Sequence, residues 1–382
     1  MTIHEPTIEL LTRYRRDLHQ IPEVDFDLPE TLTYVRDVLE GIARETNGHL
    51  GREVVRLVEP CRSTICCIFD RESEHATAIR SDMDALPVTE RTDSPFASRH
   101  AGRMHACGHD GHMSMVLGLA GWLALHLGEL PHTVVLVFQP AEETTGGAKV
   151  VCESGILDEL CADRIFGFHL WPDLPHGQVA SRPGPLLAAA NETTVTVRGR
   201  ASHIARAEQG ADALLAACHV VDACYGYMDE RQAEEPCLLR FGHMTSGSVR
   251  NQISDASRIE GSLRTFSIAM GERCRRELPE CAERAAELLG CTAEVGFSEG
   301  YPPVVNDEGL FGKAAVVLPD LGDVPEPLLI AEDFAWYQRC LPGVFLLLGT
   351  GTGIPLHSDT FAFDEAVLMR GVEAYERLVM LA

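Results

Sequence analysis

The chain has 382 residues, and 57 acidic side chains against 32 Lys and Arg leave a net charge of −25. A surface this acidic repels nucleic acid and anionic membranes, so neither is an expected partner. A single hydrophobic core stops growing below this length, which predicts two domains.

The amino terminus, Met1-Thr2-Ile3-His4-Glu5-Pro6, has neither the basic start nor the apolar core of a secretory signal, and no apolar run reaches membrane-spanning length. The expected location is the cytoplasm. The 13 cysteines follow no disulfide-scaffold pattern; Cys66, Cys67, Cys218, Cys224, Cys274 and Cys281 fall in predicted strands and helices and read as mostly reduced core residues.

Along the chain, Ala76-Thr77-Ala78-Ile79 reads as a strand leading into Asp82 and Asp84. Next comes Met104-His105-Ala106-Cys107-Gly108-His109-Asp110-Gly111-His112. A lone Cys-X-His is most often a buried thiol near a satisfied imidazole. Here a Cys, three His and an Asp crowd the mouth of an apolar helix, where packing alone would desolvate them without return. A divalent cation would satisfy them; a hydrogen-bonded helix cap is the alternative. The helix is expected to begin near Asp110 or Gly111, with Met113, Val116, Leu117, Ala120, Leu123 and Leu127 forming one buried face.

The run 133–138, apolar, β-branched and short, reads as a buried parallel strand, with Glu142 and Glu143 just past its end. The run 164–168 leads into His169, and 344–348 leads through a glycine-rich loop to His357. In open α/β sheets, ligands bind outside the carboxyl ends of the strands. Four predicted strands deliver metal-ligand or acid–base groups there, which reads as a metal-dependent hydrolase.

Between about 190 and 299 the pattern changes to strand (193–197), helix (211–227), strand (237–243), strand (257–266), helix (268–289) and strand (292–297). That β-α-β-β-α-β order is ferredoxin-like. It predicts an inserted domain over 190–299 between two parts of a catalytic domain, 1–189 and 300–382, with the main sheet resuming near Tyr301. His203 lies in a loop of the insertion, between a strand and a helix.

From Arg16-Asp17-Leu18-His19-Gln20-Ile21-Pro22-Glu23 to Pro355-Leu356-His357-Ser358-Asp359-Thr360-Phe361, the chain resembles the aminoacylase and carboxypeptidase type of metallopeptidases. Within that family it is most similar to the amidohydrolase branch of hippurate hydrolases, auxin-conjugate hydrolases and N-acetyldiaminopimelate deacetylases. The resemblance implies an α/β fold: a mixed, mostly parallel sheet with helices on both faces as the catalytic domain, plus an inserted ferredoxin-like α+β lid or dimerisation domain. It implies a two-metal site with Cys107, His109, Glu143, His169 and His357 as ligands, Glu142 as general base, and Asp84 orienting a ligand. A thiolate with imidazoles and a carboxylate suits Zn, Mn, Co or Ni.

The resemblance also makes His203 a substrate-site residue that reaches a partner subunit's active site in dimeric relatives, where it can stabilise an oxyanion. It places Asn251 at the site and Arg264 where a guanidinium would bind a substrate carboxylate, with a structural salt bridge as the alternative for Arg264. The expected substrate is a small N-acyl amino acid and the expected assembly a homodimer or higher homo-oligomer.

Two departures stand out. Relatives commonly carry a ligand His where Asp82 stands, so Asp82 is either part of a re-sorted metal site or a strand-end residue bonding backbone amides. Arg206-Ala207-Glu208-Gln209-Gly210 replaces the family's aromatic and proline residues after His203. Two function classes follow: an amide hydrolase, or an inactive metal-bound binding or assembly protein on the same fold. Glu142 favours the enzyme, because a binding protein needs no proton carrier. The motifs do not separate N-acetyldiaminopimelate from hippurate-like substrates, since pocket shape decides.

Overall fold

In the computed structural model, which describes residues 3–382, the strands Ala76–Asp82 and Thr133–Gln139 are buried along their whole length. Continuous apolar runs become such strands when both sheet faces are covered. The larger of two compact units runs to Leu186 and also takes in Val305–Glu326 and Asp333–Ala382. Its eight-stranded sheet has the order Val55–Val58, Ile65–Phe69, Thr133–Gln139, Ala76–Asp82, Ala162–Trp171, Gly343–Gly349, Val179–Ser181, Gly322–Asp323. The middle four are mutually parallel, whereas Ile65–Phe69 and Val179–Ser181 flank them antiparallel. The fold is therefore α/β with a mixed, mostly parallel sheet.

Register fixes what the parallel strands bring together. Asp82 pairs with Gln139, and His169 with Leu347, so the four chains leave the sheet on one side. The predicted strands 76–79, 133–138, 164–168 and 344–348 are all present and extend further at one or both ends. His169 consequently sits within its strand, Ala162–Trp171, not beyond it.

The helix His109–His126 departs from expectation. It starts at His109, behind Gly108 in a left-handed conformation, and is buried from His109 through Gly121 rather than on one face. It packs against the sheet and against the helices Ile8–His19, Pro29–Leu50 and Val367–Val379, so a one-sided apolar stripe has no role there. No helix among the described residues is long and apolar enough to cross a membrane.

The smaller unit comprises Leu187–Val304 and Pro327–Glu332. Its sheet has the order Thr292–Phe297, Ala189–Arg198, Ala256–Thr265, Cys237–Ser246, antiparallel throughout. The helices Ala213–Gln232 and Ile268–Glu287 share a core with it, through Val220, Cys224, Leu263 and Leu278 among others. The connectivity is β-α-β-β-α-β with the ferredoxin-like strand order. Tyr301 is bridged to Ala190 in this unit, and the chain re-enters the larger unit at Val305.

Candidate metal centre

Beyond the Thr133–Gln139 strand, the chain turns sharply so that two adjacent glutamates face inward. Ala141 takes a left-handed conformation (φ 58°), and its carbonyl accepts hydrogen bonds from the Gly146 and Gly147 N–H groups. A Cβ on Gly147 would collide with the Pro140 carbonyl, so only glycine closes this turn. Asp84 fixes the two glutamates: its carboxylate accepts from Glu142 N at 2.9 Å and from Glu143 N at 3.1 Å. The Asp84 carbonyl accepts from His109 Nδ1 at 2.8 Å, tying the helix entrance to the same point. His357 also has positive φ (67°), and its N–H donates to the Ala106 carbonyl at 2.9 Å.

Five side chains then converge. Cys107 Sγ lies 3.3 Å from His169 Nε2, and His357 Nε2 lies 3.2 Å from Glu143 Oε1. His109 Nε2 is 3.9 Å from Glu143 Oε1 and 3.7 Å from Asp82 Oδ2. Ligand atoms of Cys107, His109 and His169 lie within 4.8 Å of one another, as do those of Cys107, Glu143 and His357. These two triples share Cys107.

A carbonyl can only accept, so Nδ1 carries the proton in both His109, which faces Asp84 O, and His169, which faces Leu170 O at 2.7 Å. His169 Nε2 is thereby left with its lone pair toward the cluster, and His109 Nε2 would offer one there once a cation displaced its proton. His109 Nε2 is buried without any hydrogen-bond partner, and Glu143 Oε1, buried beside it, faces His357 Nε2. A buried polar atom normally finds a partner in protein, water or an ion.

Not every residue of the crowded segment joins. His112 donates from Nδ1 to Asp82 at 2.7 Å and accepts the Leu170 N–H at Nε2, so both nitrogens are committed. Asp110 accepts from Arg15 Nε at 2.9 Å and His19 Nδ1 at 2.7 Å. His105 is buried with both ring nitrogens unpartnered, and burial pushes it down to about 3, which keeps it neutral.

The local field favours positive charge. For His109, burial opposes protonation, but the Asp82, Asp84 and Glu143 carboxylates outweigh it and push the ring up to about 10. Burial, then Glu143 and Glu142, push the Cys107 thiol well above its usual range, so without a cation the sulfur keeps its proton. His169 is driven down to about 3, chiefly by burial and by His112, and stays neutral. Burial disfavours ionised Glu143, yet His357 and His109 lower its carboxyl overall.

In the smaller unit, His203 is exposed at the start of a short helical turn, where its Nδ1 accepts from Ala205 N at 3.1 Å. Ile204 N donates to the Asn251 carbonyl at 3.0 Å, and His203 is bridged to Gln252, so His203 and Asn251 share one corner. Arg264 sits half-buried on Ala256–Thr265, opposite Ala190 and Leu238. Its guanidinium is felt by Glu192 but makes no ion pair among the described residues, so the salt bridge expected as its alternative is absent there.

Residues 78–381 match the sequence profile of Peptidase family M20/M25/M40. The chain belongs to this family. An N-acetyldiaminopimelate deacetylase of Streptococcus uberis is 32% identical over 368 residues, covering 95% of this chain and 96% of its own. An uncharacterised hydrolase of Staphylococcus haemolyticus is 32% identical over 387 residues, covering 98% of each chain. Among solved structures, the YXEP protein of Bacillus subtilis, a dinuclear metal-binding peptidase from the M20 family, superposes with a TM-score of 0.85 at 30% identity, covering 98% of this chain and 97% of its own.

Behind the converging side chains of this M20-family chain lies a buried network that sequence reasoning missed. Arg80 donates to Gln139 Oε1 at 3.0 Å, to Asp82 Oδ2 at 2.6 Å and to Asp333 Oδ1 at 2.6 Å. Asp333 also accepts from Gln139 Nε2 at 2.6 Å and Ala148 N at 2.9 Å. Asp82 therefore bonds a guanidinium and the His112 imidazole, not the backbone amides expected of a strand-end residue. One signal was readable: an Arg inside a wholly buried strand requires a buried partner. Nothing local in the sequence pointed to Asp333.

Proposed function

We propose that the chain is a metal-dependent amidohydrolase that removes the acyl group from N-acylated amino acids or related small conjugates. The observation that carries this reading is the convergence of Cys107, His109, His169, Glu143 and His357 beside Glu142, with His109 Nε2 buried there and unpartnered. The donor set fits a pair of divalent transition ions such as Zn, Mn, Co or Ni, with Cys107 common to both triples. The dinuclear B. subtilis relative supports the same count. Bound there, the ions would polarise the amide carbonyl and acidify the attacking water.

In this reading Glu142 takes a proton from the attacking water, whose oxygen adds to the acyl carbon. Glu142 then passes the proton to the nitrogen as the C–N bond breaks. Asp84 positions both glutamates through their backbone N–H groups. Arg264 offers a planar fork to the carboxylate of the amino-acid half, and Asn251 acts from the corner it shares with His203. His203 stabilises the oxyanion from a partner subunit, with the smaller unit acting as lid and dimerisation domain. The streptococcal relative supports N-acetyldiaminopimelate as one substrate; hippurate-like compounds are the other class.

The test is a panel of N-acetyl and N-benzoyl amino acids and dipeptides offered to purified, metal-replete protein, with elemental analysis alongside. About two divalent ions per chain and hydrolysis of acyl amino acids ahead of dipeptides are expected. Protein that takes up no transition metal, or that cleaves only dipeptides, overturns the reading.

A further inference from the structure

Away from the converging ligands, Cys152 and Cys340 stand together in the larger unit. Cys152 lies in the short helix Gly147–Glu153, which begins directly after the loop carrying Glu142 and Glu143. Cys340 follows the helical turn Asp333–Arg339, which supplies Asp333 to the Arg80 network. Two contacts join these segments, and a third holds Cys340 within its own. Ala148 N donates to Asp333 Oδ2 at 2.9 Å, Lys149 Nζ sits 5.0 Å from the centre of the Trp336 ring, and Cys340 Sγ donates to the Trp336 carbonyl at 3.6 Å. Cys152 follows Ala148 by one helical turn and Cys340 is held to Trp336 four residues before it, so the line of contact runs on toward the two thiols, which lie within interaction range of each other.

We propose that Cys152 and Cys340 form a redox-active thiol pair that closes into an intramolecular disulfide, tying the helix behind the carboxylate loop to the segment bearing Asp333. Their surroundings divide the roles. Cys340 is exposed and Cys152 is half-buried. Burial, Cys340 and Asp333 push the Cys152 thiol up, so it stays protonated while Cys340 meets the oxidant. With hydrogen peroxide, the Cys340 sulfur attacks one oxygen, the O–O bond breaks, and the departing hydroxide takes up the Cys340 proton and leaves as water, with a sulfenic acid on Cys340. The Cys152 sulfur then attacks the Cys340 sulfur and displaces that oxygen as water, which takes up the Cys152 proton. Two thiols and one peroxide yield one disulfide and two waters: the sulfurs are oxidised and the peroxide is reduced.

The test treats the full-length, metal-replete protein with graded peroxide, then alkylates free thiols and maps peptides by mass, with the exposed Cys161 and Cys218 as internal controls. A peptide linking Cys152 to Cys340, reversed by a phosphine reductant, should appear before Cys161 or Cys218 is oxidised. The oxidised protein should melt several degrees higher. Cys340→Ser should abolish the link, leave Cys152 open to alkylation and keep wild-type basal turnover. Cys152→Ser should strand a sulfenic acid on Cys340 that dimedone traps. Accumulation of Cys340 sulfinic acid with Cys152 still free, or failure of dimedone to label Cys340 in Cys152→Ser, overturns the proposal.

Discussion

Glu142→Gln is expected to lower turnover by a factor on the order of a hundred or more while leaving the metal content near wild type. The amide has the size and shape of the carboxylate, and Asp84 Oδ1 still receives the residue's backbone N–H, so position is preserved and only proton transfer is lost. Glu143→Gln should behave differently. Its Oε1 sits 3.2 Å from His357 Nε2 and 3.9 Å from His109 Nε2, so replacing it removes the anionic ligand proposed for the centre and should empty part of it as well as slow the reaction. Steady-state kinetics on the best acyl amino acid, paired with elemental analysis of each variant, separates the two. Full turnover by Glu142→Gln would exclude it as the proton carrier, whatever the substrate.

What was legible in the sequence is what local pattern controls. Continuous apolar runs announced four buried strands, and groups that follow such strands lie at one edge because parallel neighbours share a direction. The ferredoxin-like unit was legible for a similar reason: each of its strands and helices carries its own signal, such as the alternating burial of Ala189–Arg198. What local pattern could not supply was allegiance. His105, Asp110 and His112 look as ligand-like as Cys107 and His109, yet Asp110 answers to Arg15 and His19 on the Ile8–His19 helix, and His112 to Asp82 and the Leu170 amide. These partners are fixed by tertiary packing across many intervening residues. The burial of His109–His126 on all sides escaped for the same reason, since a helix covered by three others needs no polar face.

The Arg80 network carries the largest expected effect on stability. Arg80→Met should destabilise the protein by about 3–5 kcal/mol in urea unfolding at neutral pH, because removing one member of a buried ion pair leaves its partners charged and desolvated. Arg80 is 1% exposed and grips Asp82 and Asp333, both fully buried, so solvent cannot replace the guanidinium. The sign of the pH dependence follows from Asp82. Burial would raise its carboxyl, but Arg80, His109 and His112 hold it well below the usual carboxylate range. A group depressed in the folded state contributes stability above its unfolded pKa and loses it as pH falls through the folded value. In the wild type that contribution is therefore full at neutral pH and fades only in strong acid. Without Arg80 burial gains weight, Asp82 protonates more readily, and the penalty of the variant should shrink as pH falls to about 4. Adding Asp82→Asn and Asp333→Asn to Arg80→Met should recover part of the loss at neutral pH, since no buried charge then stands alone. A cost below about 1 kcal/mol for Arg80→Met, typical of exposed pairs, would show that these groups are not held out of water as the hydrogen bonds at 2.6 Å indicate.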